Sequence, residues 1–166
     1  ELHAATTAWC GDAAAAEATY GHISTWQVHK VTSFDFLFCN REWSADCFTG
    51  CGTFDEDLGD WETGQVTSFV QTFHSARGFT GAGLHRWNVS SATTFSLTFH
   101  QAHSFNADLG DWDVSKVYSM EEMFYETPDY RGAGLERWDI SSMGTCQQMM
   151  RSTGIPACQK RAIGNA

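Results

Sequence analysis

FNADLGDWDVSKVYSMEEMF, residues Phe105 to Phe124, carries apolar residues at Leu109, Trp112, Val114, Val117, Met120, Met123 and Phe124. The same offsets from Trp61 give Leu58, Val66, Phe69 and Phe73, and from Trp87 they give Leu84, Val89, Phe95 and Phe99. From Trp138 they give Leu135, Ile140, Met143 and Met150. A looser copy surrounds Trp26, with Ile23, Val28, Val31, Phe34, Leu37 and Phe38, so the chain is five copies of one unit.

The tryptophans at 61, 87, 112 and 138 are 26, 25 and 26 residues apart, inside the range of leucine-rich-type repeat arrays. Trp112 and Val114 share one side of an extended segment and Asp111, Asp113 and Ser115 the other. After Val117 the apolar spacing becomes three and four, the spacing of one or two helical turns. These features predict an α/β, leucine-rich-repeat-like solenoid of about five turns. Short parallel strands near each Trp would lie in register on one face, with short helices on the other and a helical cap at the N-terminus. A longer period overlies the first: FDEDLGDW matches FNADLGDW and GAGLHRW matches GAGLERW, each pair 51 residues apart. Phe54 and Phe105 precede their Trp by seven residues, Phe79 and Tyr130 by eight, and the Gly-Ala-Gly of the longer type suits a one-residue bulge.

The recurring form, apolar-x-x-Trp-Asp/Asn-Val-Ser-x-Val followed by Met or Phe positions and Phe-Asn-x-Asp-Leu, resembles the BspA-like leucine-rich repeats of bacterial surface lipoproteins and of many algal and protist proteins. The opening AWCGDAAAAEATYGHISTW, residues 8–26, is similar to the start of such arrays in algae. The match spans about residues 8–150 and departs from the pattern at Thr63-Gly64 and at Cys146. The resemblance implies adhesion and protein contacts and no general catalytic role.

The chain reads as a single repeat domain over 1–166, with an N-terminal cap at 1–22, five repeats over 23–150, a Cys-rich insertion at 39–53 and a C-terminal cap or tail at 151–166. Asp12 is placed to cap a helix over Ala13 to Thr19 that Gly21 closes. At 42% apolar and 14% aromatic the chain has ample material for one ordered core. A net charge of -10 argues against nucleic acid and anionic membrane surfaces. No apolar run reaches the roughly 20 residues of a membrane span, and no signal-peptide pattern is visible.

The insertion stretches the Trp26 to Trp61 interval to 35 residues and holds Cys39, Cys47 and Cys51. A zinc site would want paired Cys-x-x-Cys, which these spacings lack. Two disulfides among Cys10, Cys39, Cys47 and Cys51, with a third joining Cys146 to Cys158, fit better and predict an oxidising compartment: the cell surface, the extracellular space or an organellar lumen. The acidic run Asp55, Glu56, Asp57, Asp60 and Glu62 lacks the order of a calcium loop and reads as solvated surface. His74 and His100 share a repeat position, which Cys39, Tyr125 and Arg151 also fill, and a polar surface is favoured there over a metal site. No nucleophile elbow, paired-histidine zinc motif or phosphate loop occurs, so no catalytic, cofactor or metal residue is expected.

Two functional readings result. The first is a non-catalytic protein-interaction or adhesion module; the alternative is a peripheral structural subunit of a membrane complex on a lumenal side, with an enzyme or carbohydrate-binding protein as the outsider. The residue before each Trp forms an alternating charge ladder, Asp60, Arg86, Asp111, Arg137. The residue after each Trp forms an uncompensated row, Glu62, Asn88, Asp113, Asp139, expected to draw a protein partner with a basic surface. Asn88-Val89-Ser90 is also a candidate glycosylation acceptor.

Overall fold

The structure, a computed structural model, describes residues 1–41 and 45–153. It opens with two short helices, α1 (Leu2–Gly11) and α2 (Ala13–Tyr20). They break at Asp12, which is extended (φ -154°, ψ 94°) and accepts a hydrogen bond from the Ala15 N–H at 3.1 Å. Gly21, at φ 74°, ends α2 in a conformation that a side chain would resist. Trp9 of α1 and Tyr20 of α2 both meet the first unit, edge-on to Trp26, with ring centroids 5.8 and 6.1 Å away.

The expected strands and repeat helices are not there. Among the described residues no strand forms, and beyond Tyr20 the only helical pieces are single 3-10 turns at Ile23–Thr25, Cys51–Thr53, Leu84–Arg86 and Leu135–Arg137. Parallel pairing is confined to one isolated bridge per unit, Ser33 to Ser68 to Thr94 to Ser119 to Thr145. These bridges lie seven residues after the tryptophans, not beside them. Around each Trp the backbone turns back on itself: the Trp61, Trp87, Trp112 and Trp138 N–H groups bond the carbonyl three residues earlier, as do those of Val66, Ala92, Val117 and Met143. An N–H spent on a local turn cannot join a ladder to the neighbouring unit.

The segment read as helix fails for a different reason. Gln71 and Ser75, Leu97 and Gln101, Glu122 and Glu126, and Gln148 and Ser152 all adopt left-handed backbone angles, with φ between 51° and 62°. A left-handed residue at every fourth position rules out an α-helix. The chain instead forms a ribbon in which alternate N–H groups point to the next unit, as in Phe69 to Thr94 O, Gln71 to Ser96 O and Phe73 to Thr98 O. The N–H groups between them, such as Thr72 and His74, close turns within the unit onto Phe69 O and Gln71 O. This ribbon puts residues i and i+4 on one side, as a helix does, which is why the apolar spacing could not distinguish them.

Five units stacked this way bury columns of rings. Phe38, Phe73, Phe99 and Phe124 follow one another at 5.2, 5.7 and 5.6 Å with nearly parallel planes. Phe54, Phe79, Phe105 and Tyr130 form a second column. Burying an indole requires a partner for its N–H, and here that partner is always the unit before. Trp61 donates to Ile23 O, Trp87 to Leu58 O, Trp112 to Leu84 O and Trp138 to Leu109 O, all at 2.8–2.9 Å. These four tryptophans are 1–3% exposed. Trp26, at the end of the stack, bonds Gly21 O and is only half-buried.

Candidate functional site

The 51-residue period has a structural counterpart: the second unit is clamped to the third, and the fourth to the fifth, by the same three side chains. Asp55 accepts from the Thr80 N–H and hydroxyl, and Asn106 accepts from the Arg131 N–H. Asp57 and Asp108 each cap a glycine two residues on, Gly59 and Gly110, at 2.8 Å. The same carboxylates receive Arg86 at 2.7 Å and Arg137 at 2.9 Å. Asp57 is held below its ordinary pKa first by the Gly59 N–H and then by Arg86.

This rearranges the charge ladder. Arg86 reaches Asp60 only at 3.8 Å and Arg137 reaches Asp111 at 3.4 Å, as secondary contacts within a clamp. Arg86 forms no ion pair with Asp111 among the described residues. The alternation is therefore two separate clamps, and Asp57 and Asp108 are its main acids, which offsets from Trp did not find. The Asp-Leu-Gly sequence could have found them, since an Asp side chain commonly bonds the N–H two residues on.

The residues after each Trp have a local task too. Asn88 Oδ1 accepts from the Ser90 N–H and hydroxyl at 3.1 and 2.8 Å, and Asp113 does the same for Ser115 at 3.1 and 2.7 Å. Asp139 accepts from the Ser141 N–H at 2.9 Å. The Ser115 bonds lower the Asp113 pKa, and those of Ser141 lower that of Asp139. Glu62, followed by Thr63-Gly64, lacks such a turn. Glu62, Asn88, Asp113 and Asp139 are nonetheless all exposed, and no ion pair engages the three acids among the described residues. The Asn88 side chain, the glycosylation candidate, stands on this surface.

The cysteines pair as Cys10–Cys51 and Cys39–Cys47. The first ties α1 to the insertion and the second closes the insertion on itself. The expected partner of Cys146, Cys158, lies outside the described residues, as does most of the expected C-terminal cap. The two bonds are compatible with an oxidising or extracellular location.

His74 and His100 do meet: their rings stack at 4.4 Å and His100 stacks on Tyr125 at 4.7 Å, with Arg151 over Tyr125 at 5.4 Å. His74 is buried, its Nδ1 2.9 Å from Ser75 Oγ, whose hydroxyl donates to Gln101 Oε1 at 3.2 Å. Burial, with His100 and Arg41 nearby, pushes its pKa down to about 3, and burial lowers that of His100 as well. Parallel stacked rings direct their nitrogen lone pairs side by side, not toward one point, which suits a polar floor better than a metal. Among the described residues no group of three or more His, Cys, Asp or Glu is placed to hold a metal ion. Beside this column lies a cleft of about 630 Å³ lined by Asn40, Arg41, Arg77, Gln101 and Glu122 as well as the imidazoles.

Among the described residues no helix is long and apolar enough to cross a membrane. No curated protein matches the chain, and no solved structure does. A family model described as "Mycoplasma protein of unknown function, DUF285" matches residues 13–80 and 43–157, a match consistent with the BspA-like character of the repeats. With well over half of its length matched, the chain belongs to that DUF285 family.

Proposed function

We propose that the chain is a non-catalytic protein-interaction or adhesion module, working at a cell surface or in an organellar lumen, whose exposed acidic row meets a basic protein surface. One observation carries this reading. Glu62, Asp113 and Asp139 stay exposed and without ion pairs among the described residues, while the acids beside them are matched by Arg86 and Arg137. Charges left uncompensated on an ordered surface contribute to partner choice and association rate more than to folding. The two disulfides support a location outside the reducing cytosol.

The Asx turns supply a clean test. Replacing Asp113 and Asp139 by Asn keeps the oxygen that accepts from the serine and removes only the charge; Glu62→Gln completes the set. The triple variant should unfold at nearly the same denaturant concentration as the parent. A photo-crosslinker at exposed Gln65 should capture a Lys- and Arg-rich protein in the native compartment, with capture falling in the triple variant and at raised salt. Undiminished capture by the triple variant would place the interface elsewhere and end this reading.

A further inference from the structure

Among the described residues, the cleft beside the stacked histidines gathers the two arginines that hydrogen bonds and ion pairs leave unused. Arg86 and Arg137 are taken by Asp57 and Asp108, Arg131 donates to Pro128 O at 2.8 Å, and Arg151 bonds Gln148 Oε1 at 2.7 Å. Arg41 and Arg77 are exposed, have no such side-chain partner among the described residues, and line the same cleft. In a chain of net charge -10 these two arginines balance the two carboxylates beside the cleft, Glu122 and Glu126. The carboxylates nearby are turned to other work: Glu122 lies 3.4 Å from His100 Nε2, and Glu126 accepts from Gln101 Nε2 at 2.8 Å.

The floor is pre-organised by the same contacts. Because the Ser75 hydroxyl donates to Gln101, His74 Nδ1 must be the donor to Ser75 Oγ, which fixes that imidazole as the neutral Nδ1–H tautomer. His100 presents Nε2 to the Glu122 carboxylate at 3.4 Å, so its buried Nδ1 carries a lone pair and the donors for an anion here are the arginines. We propose that this cleft binds a tetrahedral oxyanion, a phosphate or sulfate group, through Arg41 and Arg77. The guanidinium fork matches such oxygens with paired, charge-assisted hydrogen bonds. A cleft of about 630 Å³ exceeds a bare anion and falls within the range of small-molecule sites, so the group belongs to a monoester of a small polyol whose hydroxyls reach Asn40 and Gln101. This site is separate from the acidic row and stands or falls without it.

The test titrates the full disulfide-intact chain with inorganic phosphate, glucose 6-phosphate and glucose. Heat is followed by calorimetry and the histidine ring resonances by NMR, at low salt. Both phosphates should give saturable shifts at His74 or His100 and glucose none. An Arg41→Gln, Arg77→Gln double variant should bind about ten-fold or more weakly, while Arg131→Gln binds as the parent does. Tighter binding of glucose 6-phosphate than of phosphate confirms the monoester; equal affinity supports the anion site and removes the polyol contacts. Both arginines are exposed, so the double variant should keep the parent's histidine resonances in the absence of ligand. No saturable response to either phosphate, or full-strength binding by the double variant, overturns the proposal.

Discussion

Trp87 donates its indole N–H to the carbonyl of Leu58, 2.9 Å away in the preceding unit, and the same bond recurs at Trp61, Trp112 and Trp138. Each tryptophan is thus both a core ring and the pin that joins its unit to the one before. The two roles can be separated. Trp112→Ala should lose about 3–5 kcal/mol, as large core truncations do. Trp112→Phe keeps most of the ring and removes only the indole bond to Leu84 O, which still accepts from the Trp87 N–H, and should lose about 0.5–1.5 kcal/mol. Trp26→Ala should cost less than Trp112→Ala, because Trp26 is half-buried and bonds only Gly21 O. Urea denaturation of the three variants checks the order.

Gly110 and Gly134 face each other across the clamp between the fourth and fifth units, and they should respond differently to Ala. A Cβ on Gly110 would meet the flexible guanidinium of Arg137. A Cβ on Gly134, where φ is 87°, would meet the backbone N of Gly110. Gly134→Ala should therefore cost about 1–3 kcal/mol, and Gly110→Ala less. In an Arg137→Ala background the Gly110→Ala cost should shrink while that of Gly134→Ala persists, a double-mutant cycle read by thermal unfolding.

The Cys10–Cys51 bond spans 41 residues and is the covalent link between α1 and the stack. Loop-closure entropy gives it about 4 kcal/mol. Replacing both cysteines by serine should lower stability by that order and leave the N-terminal helices the first region to be cut by protease. The Cys39–Cys47 bond, spanning 8 residues, should matter less. Equal losses for the two pairs would contradict this ranking.

His74 makes stability depend on pH. Its folded pKa of about 3 lies below the ordinary 6.5, so the unfolded chain binds the proton first as pH falls. The contribution is whole above pH 6.5 and is lost progressively as pH drops toward 3, by at most about 1.4 kcal/mol per pH unit. His100, depressed in the same direction, adds to the slope. His74→Gln should flatten the curve between about pH 6.5 and 5. At lower pH the lowered carboxylates of Asp57, Asp113 and Asp139 act with the same sign and obscure the comparison.

The repeat, its length and its core could be read directly: Leu109, Trp112, Val114, Val117, Met120, Met123 and Phe124 are all buried. Periodicity reports which residues face inward, because burial is what constrains residue type from unit to unit. The duplicated two-unit block was equally visible in FDEDLGDW and FNADLGDW. The backbone path was not. A spacing of four is shared by a helix and by a ribbon with a left-handed residue in every fourth place, and Gln71, Leu97, Glu122 and Gln148 occupy those places where glycine would have announced them. The strand expectation failed because i to i+3 turns around each Trp take the N–H groups that a ladder needs.

Charge partners depended on that path as well. An offset from Trp predicts a neighbour only if the segment is straight, and before Trp87 and Trp138 it is a 3-10 turn, so Arg86 and Arg137 land on Asp57 and Asp108. The cleft is further from the sequence still. Arg41, Arg77 and Glu122 come from segments far apart in the chain and share no motif; only the stacking of successive units around the His74 and His100 rings sets them at one surface.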